Sequence, residues 1–160
     1  FTISEINLNF GLLTPQTPKV LTNTLTVSAG GAGGYQVTAF ENHPLSSAAG
    51  NYIPDTLGDN GDISEITASL WAQNTTYGFG FKMSGDDIPN DFNNPACSPN
   101  CFRQFADPTA SPPETPQTVM SSVDLARQSE ATASYKINIA GDQAAGIYQN
   151  QIIFIATPLY

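Results

Sequence analysis

The stretch Leu21-Thr22-Asn23-Thr24-Leu25-Thr26-Val27-Ser28 decides the fold class, because Leu21, Leu25 and Val27 fall on one parity with threonines between them. An extended chain points successive side chains to opposite faces, so a period of two marks a half-buried β-strand. The same alternation returns at Tyr35, Val37 and Ala39, at Tyr77, Phe79 and Phe81, and at Ala133, Tyr135, Ile137 and Ile139. Between the first two strands, Gly30-Gly31-Ala32-Gly33-Gly34 predicts a turn and therefore a hairpin. No helix pattern follows these glycines, which assigns them to backbone conformation and not to phosphate binding. In the third strand Gly78 and Gly80 oppose the aromatics, so its bare face should pack on another backbone or ring. The segment Ile147-Tyr148-Gln149-Asn150-Gln151-Ile152-Ile153-Phe154-Ile155-Ala156 is apolar on both faces from Ile152 onward and reads as a central strand.

Two long connections separate these strands. Residues 43–75 are broken by Pro44, Pro54, Gly58 and Gly61, with a short helix expected over residues 64–72, where Ser64 can cap and Ile66 and Leu70 share a face. Residues 84–116 hold seven prolines and should contain only brief strand pieces on the surface before a strand at residues 117–121. Seven to nine strands with turn-rich connections predict an all-β chain folded as an antiparallel β-sandwich, jelly-roll or immunoglobulin-like. At 160 residues, one domain over residues 14–160 is expected, preceded by a separate strand at residues 1–13.

The opening dodecapeptide, Phe1-Thr2-Ile3-Ser4-Glu5-Ile6-Asn7-Leu8-Asn9-Phe10-Gly11-Leu12, carries two half-phases. Phe1 and Ile3 lie on one parity; Ile6, Leu8, Phe10 and Leu12 lie on the other. A kink near Ser4-Glu5 is needed to keep one face apolar. A terminal strand is also the piece of a β-protein most easily lent to a neighbour.

Charge excludes whole classes of function. The net charge is −9, and Lys19, Lys82, Arg103, Arg127 and Lys136 are the only basic residues, so nucleic acid is not an expected partner. No apolar run approaches the roughly 18 residues that span a bilayer. The first residue is Phe1 and not Met, which fits an exported and processed chain, secreted or held at the cell surface. Cys97 and Cys101, in Cys-Ser-Pro-Asn-Cys, are read as a disulfide formed in an oxidising compartment, with free thiols as the second reading. A zinc site would need two further ligands, and His43 is the only histidine.

Of the fourteen carboxylates, Asp55, Asp59, Asp62, Glu65, Asp86, Asp87, Asp91 and Asp107 fall in the two connections. Gly58-Asp59-Asn60-Gly61-Asp62 offers oxygens to calcium, but the spacing is not that of the helix-loop-helix site, and solvated turn residues are the simpler reading. No other cofactor is expected. His43 precedes Pro44 and no nucleophile elbow is present, so the chain is read as non-enzymatic. Trp71, Tyr52 and Tyr77 could form a platform for sugar, although a lone Trp beside strand aromatics more often belongs to a core. Asn74-Thr75-Thr76 has the form of a glycosylation acceptor.

Asn9-Phe10-Gly11-Leu12-Leu13-Thr14-Pro15, with Leu25-Thr26-Val27 and Gly34-Tyr35-Gln36-Val37-Thr38, resembles the opening of bacterial exported β-sandwich surface proteins. Tyr135-Lys136-Ile137-Asn138-Ile139, Ala145-Gly146-Ile147-Tyr148-Gln149-Asn150 and Ile155-Ala156-Thr157-Pro158-Leu159-Tyr160 look like the end of such proteins. At fold level the arrangement is similar to biofilm-fibre subunits of the TasA type and to donor-strand pilins. The resemblance implies a structural subunit that polymerises head to tail with other copies of itself, giving its N-terminal strand (Phe1, Ile3, Ile6, Leu8, Phe10, Leu12) to the next subunit. The competing expectation is a monomeric surface module that binds glycan or another ligand through its aromatic and acidic loops.

Overall fold

The structure, a computed structural model, describes residues 1–28 and 33–160. Its elements in chain order are β1 (Thr2–Ile3), β2 (Lys19–Ser28), β3 (Tyr35–Glu41), β4 (Ser46–Ser47), β5 (Ser69–Leu70), β6 (Gly78–Gly85), a 3-10 turn (Asn90–Asn93), β7 (Cys101–Phe102), β8 (Gln117–Ser122), β9 (Arg127–Asn138), β10 (Tyr148–Gln149) and β11 (Ile152–Pro158). The expected all-β, antiparallel, sandwich-like class is observed. Eleven strands are described instead of seven to nine, because five of them are only two residues long.

One sheet has the order β1-β2-β9-β6 and the other β11-β3-β8, with every strand pairing within each of them antiparallel. Their inward residues form one core: Leu25 and Val27 from β2, Tyr35, Val37 and Ala39 from β3, Phe79, Phe81 and Met83 from β6, Val119 and Met120 from β8, and Ala131, Ala133, Tyr135 and Ile137 from β9. Each of these runs follows the period of two seen in sequence except at β8. There the register shifts between Val37 and Thr38, and the bulge lets consecutive Val119 and Met120 both turn inward.

Successive long strands lie in opposite sheets, which overturns the expected hairpin. β2 pairs with β9 while β3 pairs with β11 and β8, so the glycine segment joins two sheets and not two neighbours. Residues 29–32 of that segment lie outside the described residues. Strand β11 is corrected as well, from central to edge. It pairs with β3 alone, and its apolar second face, including Ile155, is left partly open.

The helix expected over residues 64–72 does not form. Ser64 Oγ instead accepts the Ile66 amide, Asp91 accepts the Ala68 amide, and β5 pairs Leu70 with Cys101. Nine residues are too few to nucleate a helix against such competing bonds. The long connection over residues 84–116 is not confined to the surface either. It buries Phe92, Phe102, Arg103 and Phe105, and the Phe105 ring stacks 4.0 Å from Phe81 with Phe79 and Tyr135 on its flanks.

Candidate functional site

The sandwich has two long sides where the edges of its sheets face each other, and they are built differently. At the β6/β8 side, the backbones of Pro54 and Thr56 pair with Phe79, and the Arg103 backbone pairs with Phe81 in both directions. The approach is so close that a side chain on Gly80 would meet Arg103 O at 2.7 Å and the Trp71 ring at 3.5 Å, as the bare face of that strand led us to expect. The Arg103 guanidinium donates twice to Asp91, at 2.8 and 2.6 Å, and reaches Thr118 O on β8. Cys97 and Cys101 are joined in the expected disulfide beneath this cover.

The opposite side, between β2 and β11, holds a groove of about 1430 Å³ whose floor is Ile53, Phe79, Tyr135 and Ile137. Residues 5–13 line it, as do residues 143–154. The chain enters through β1, which pairs Thr2 with Thr26 and Ile3 with Leu25, while Phe1 rests 6.5 Å from Phe154 of β11. Ser4 adds one further backbone bond to Thr24 O. Beyond it the predicted kink appears, because the Glu5 carboxylate turns back to accept the amides of Ile6 and Asn7.

From Glu5 to Leu13 the segment makes no backbone-to-backbone hydrogen bond among the described residues. Two side chains hold it to the domain: Asn23 Nδ2 donates to Glu5 O at 3.1 Å and Lys19 Nζ donates to Phe10 O at 2.8 Å. Among the described residues, the outer edge of β2 over residues 19–23 and the whole outer edge of β11 therefore have no strand beside them.

The structure does not keep the expected single face for the six residues of the terminal strand. Ile3, Leu8 and Phe10 pack against the core, Phe1 is partly exposed, and Ile6 and Leu12 are 82% and 86% exposed. The phase breaks again at Gly11, whose φ of +63° and whose amide, bound to Asn9 Oδ1, swing Leu12 outward and Leu13 inward. Exposed Ile147 lies on the other lip of the groove, so three large apolar side chains bound its mouth.

Other sequence candidates resolve differently. Trp71 is fully buried, its indole N–H donating to Thr76 O and its ring meeting Phe102 edge-on at 5.3 Å, so it belongs to a small second core and not to a sugar platform. Lys136 lies 4.3 Å over that ring and donates to Trp71 O; burial pulls its ammonium down to about 8, against the pull of Asp59. Both Asp59 oxygens are taken by Thr76 Oγ1 and the amides of Ala72 and Gln73. Burial raises the Asp59 carboxyl, and these donors overcome that and hold it below its ordinary range. Its oxygens thus fasten a turn, and no group of three metal-ligating side chains is present among the described residues.

One pair went unread in the sequence. Glu41 ends β3 on the inward parity of Tyr35, Val37 and Ala39, and it is 0% exposed. Its Oε2 accepts Asn150 Nδ2 at 2.6 Å, while its Oε1 and the buried Asp55 Oδ1 have no other donor. Burial raises both carboxyls, and in Glu41 repulsion from Asp55 adds to it. A carboxylate on an inward strand position was the available signal.

Comparison with family models, with curated proteins and with solved structures finds no match. No helix among the described residues is long and apolar enough to cross a membrane.

Proposed function

We propose that the chain is an extracellular structural subunit that polymerises into a filament, head to tail, by donating the segment over residues 1–12 to the groove of a neighbouring copy. The observation that carries this reading is the mismatch at the β2/β11 groove. Apolar side chains of the terminal segment line an open groove, but among the described residues the backbone bonding on both flanking edges is missing. A fully extended strand in the groove would add a ladder along one of those edges, the usual way in which an added strand is recognised. It would also keep Leu8 and Phe10 packed against the core and take Ile6 and Leu12 out of water. Burying those two side chains contributes about 3 to 6 kcal/mol before the costs of association.

Geometry and topology agree with exchange. Twelve extended residues reach roughly 40 Å, enough to cross from one domain into the next. Such a contact is heterologous and does not close on itself, so repetition gives a fibre. The resemblance to exported β-sandwich surface proteins and donor-strand subunits points the same way, as does the disulfide, which suits an oxidising compartment.

The test locks the segment in place. Thr2 and Thr26 are directly opposed across an antiparallel pair, a separation that suits a disulfide. The double variant Thr2→Cys with Thr26→Cys should stay monomeric when oxidised and form fibres when reduced, as judged by negative-stain microscopy beside the parent under both conditions. Fibres formed equally well with the lock closed would overturn the proposal.

A further inference from the structure

We infer that Glu41 and Asp55 share one proton, as an acid–carboxylate pair, and that this proton locks the groove wall where β10 passes into β11. The two oxygens left without a donor, Glu41 Oε1 and Asp55 Oδ1, are both buried, and a proton between them satisfies both at once. Two bare carboxylates there would leave uncompensated charge in a site with no cation: the ion pair among the described residues is Arg103 with Asp91. The facing groups from the packed connection are Asp107 and Glu114, both acidic, and their charge further disfavours a second ionisation. Asp107 and Glu114 are occupied elsewhere, Asp107 Oδ1 by Thr109 and Glu114 Oε2 by the Asp107 amide. The neutral donor is Asn150, on the chain between β10 and β11. From the same strand end, Asn42 donates its amide to Gln151 O and accepts the Gln151 amide on its side chain. Glu41 itself is held by its amide to Ala106 O and by its pairing with Ile152.

The sign follows from the raised carboxyls. The folded state keeps a proton that the unfolded chain loses near pH 4, so the stabilisation is whole below that pH. It declines as pH rises and is gone once the pH passes the raised folded value of Glu41, about 9. On ionisation the two carboxylates repel each other in a buried site, and the wall over residues 148–152, to which Glu41 is tied through Asn150 and Ile152, loosens along the groove. That this would ease entry of a neighbour's strand rests on the strand-exchange reading; the shared proton does not.

The pair is tested on the soluble monomer by infrared spectroscopy at pH 7 and by melting curves from pH 5 to pH 9. The parent should show the carbonyl stretch of a protonated carboxylic acid at pH 7 and a melting temperature that falls steadily to pH 9. Glu41→Gln places a permanent amide donor opposite Asp55, so the acid band should vanish and the fall with pH should flatten. Asp55→Asn should do the same from the other side and covers the case in which Glu41→Gln fails to fold. Absence of the acid band in the parent, an unchanged pH slope in both variants, or a rise in melting temperature on adding calcium that both variants abolish would each overturn the inference. Fibre growth that quickens with pH in the parent and not in Glu41→Gln would extend the lock to exchange; a confirmed acid band with no fibres at any pH would refute the exchange reading alone.

Discussion

The two long sides of the sandwich solve one problem in opposite ways. Along β6 and β8, two connections supply backbone partners, a buried disulfide, a bidentate Arg103–Asp91 pair and the stacked ring of Phe105. Along β2 and β11, one terminal segment supplies apolar side chains, and two side chains of β2, Lys19 and Asn23, bond to its backbone. Both sides exclude water from the core, but only the first also satisfies the sheet edges. An edge that is apolar and unpaired is a template for another strand, which is why the second side is the place to look for self-association.

Breaking the first side should cost most. Phe105→Ala removes a ring packed against Phe79, Phe81 and Tyr135 and should lower stability by about 3 to 5 kcal/mol in denaturant unfolding. A loss below about 1 kcal/mol would mean that the connection is loosely attached. Replacing both Cys97 and Cys101 by Ala opens a small loop and should cost about 2 kcal/mol in the chain-entropy account, checked by melting the variant beside the parent. Gly80→Ala should cost about 1 to 3 kcal/mol, because the new methyl meets the Arg103 carbonyl, which belongs to backbone and cannot swing away.

Changes on the second side should barely register in the monomer. Phe10→Ala should lose about 1 to 2 kcal/mol, since its ring is only part-buried on the core. Ile6→Asp and Leu12→Asp should change monomer stability by less than about 0.5 kcal/mol, both side chains being exposed already. The same two variants should stop fibre assembly, because exchange would place a charge in a neighbour's groove. Fibres that tolerate both substitutions would show that the exposed residues are not part of the joint.

Much of the core was legible because alternation is written into each strand. Leu25, Val37, Phe81, Tyr135 and Ile137 all turn inward on the parity read from the chain. The kink at Ser4-Glu5 was legible for the same reason, as a change of parity. Glu41 was overlooked although it continues the inward set of β3. A single carboxylate at the end of a strand reads as a solvated terminus until Asp55, fourteen residues on, is seen beside it. Phe105 was hidden more thoroughly, since it lies in a proline-rich connection with no period to show which way it points. The outward turn of Leu12 depends on the Asn9 side chain capturing the Gly11 amide, a local bond that competes with the strand pattern.

By itself the sequence determined that the chain is built of antiparallel strands, which side chains each strand buries, and that Cys97 and Cys101 stand close enough to join. Only the tertiary structure decided that β2 and β3 part into different sheets, that β11 is an edge, and that the two connections seal one side while a terminal segment covers the other. The reason lies in what carries each kind of information. The facing of a side chain is a local property of an extended backbone and is marked by residue type, whereas lateral pairing is made by amide and carbonyl groups that are nearly the same at every position. Which edges meet is therefore set by the packing of the whole chain, and the groove between β2 and β11 exists only there.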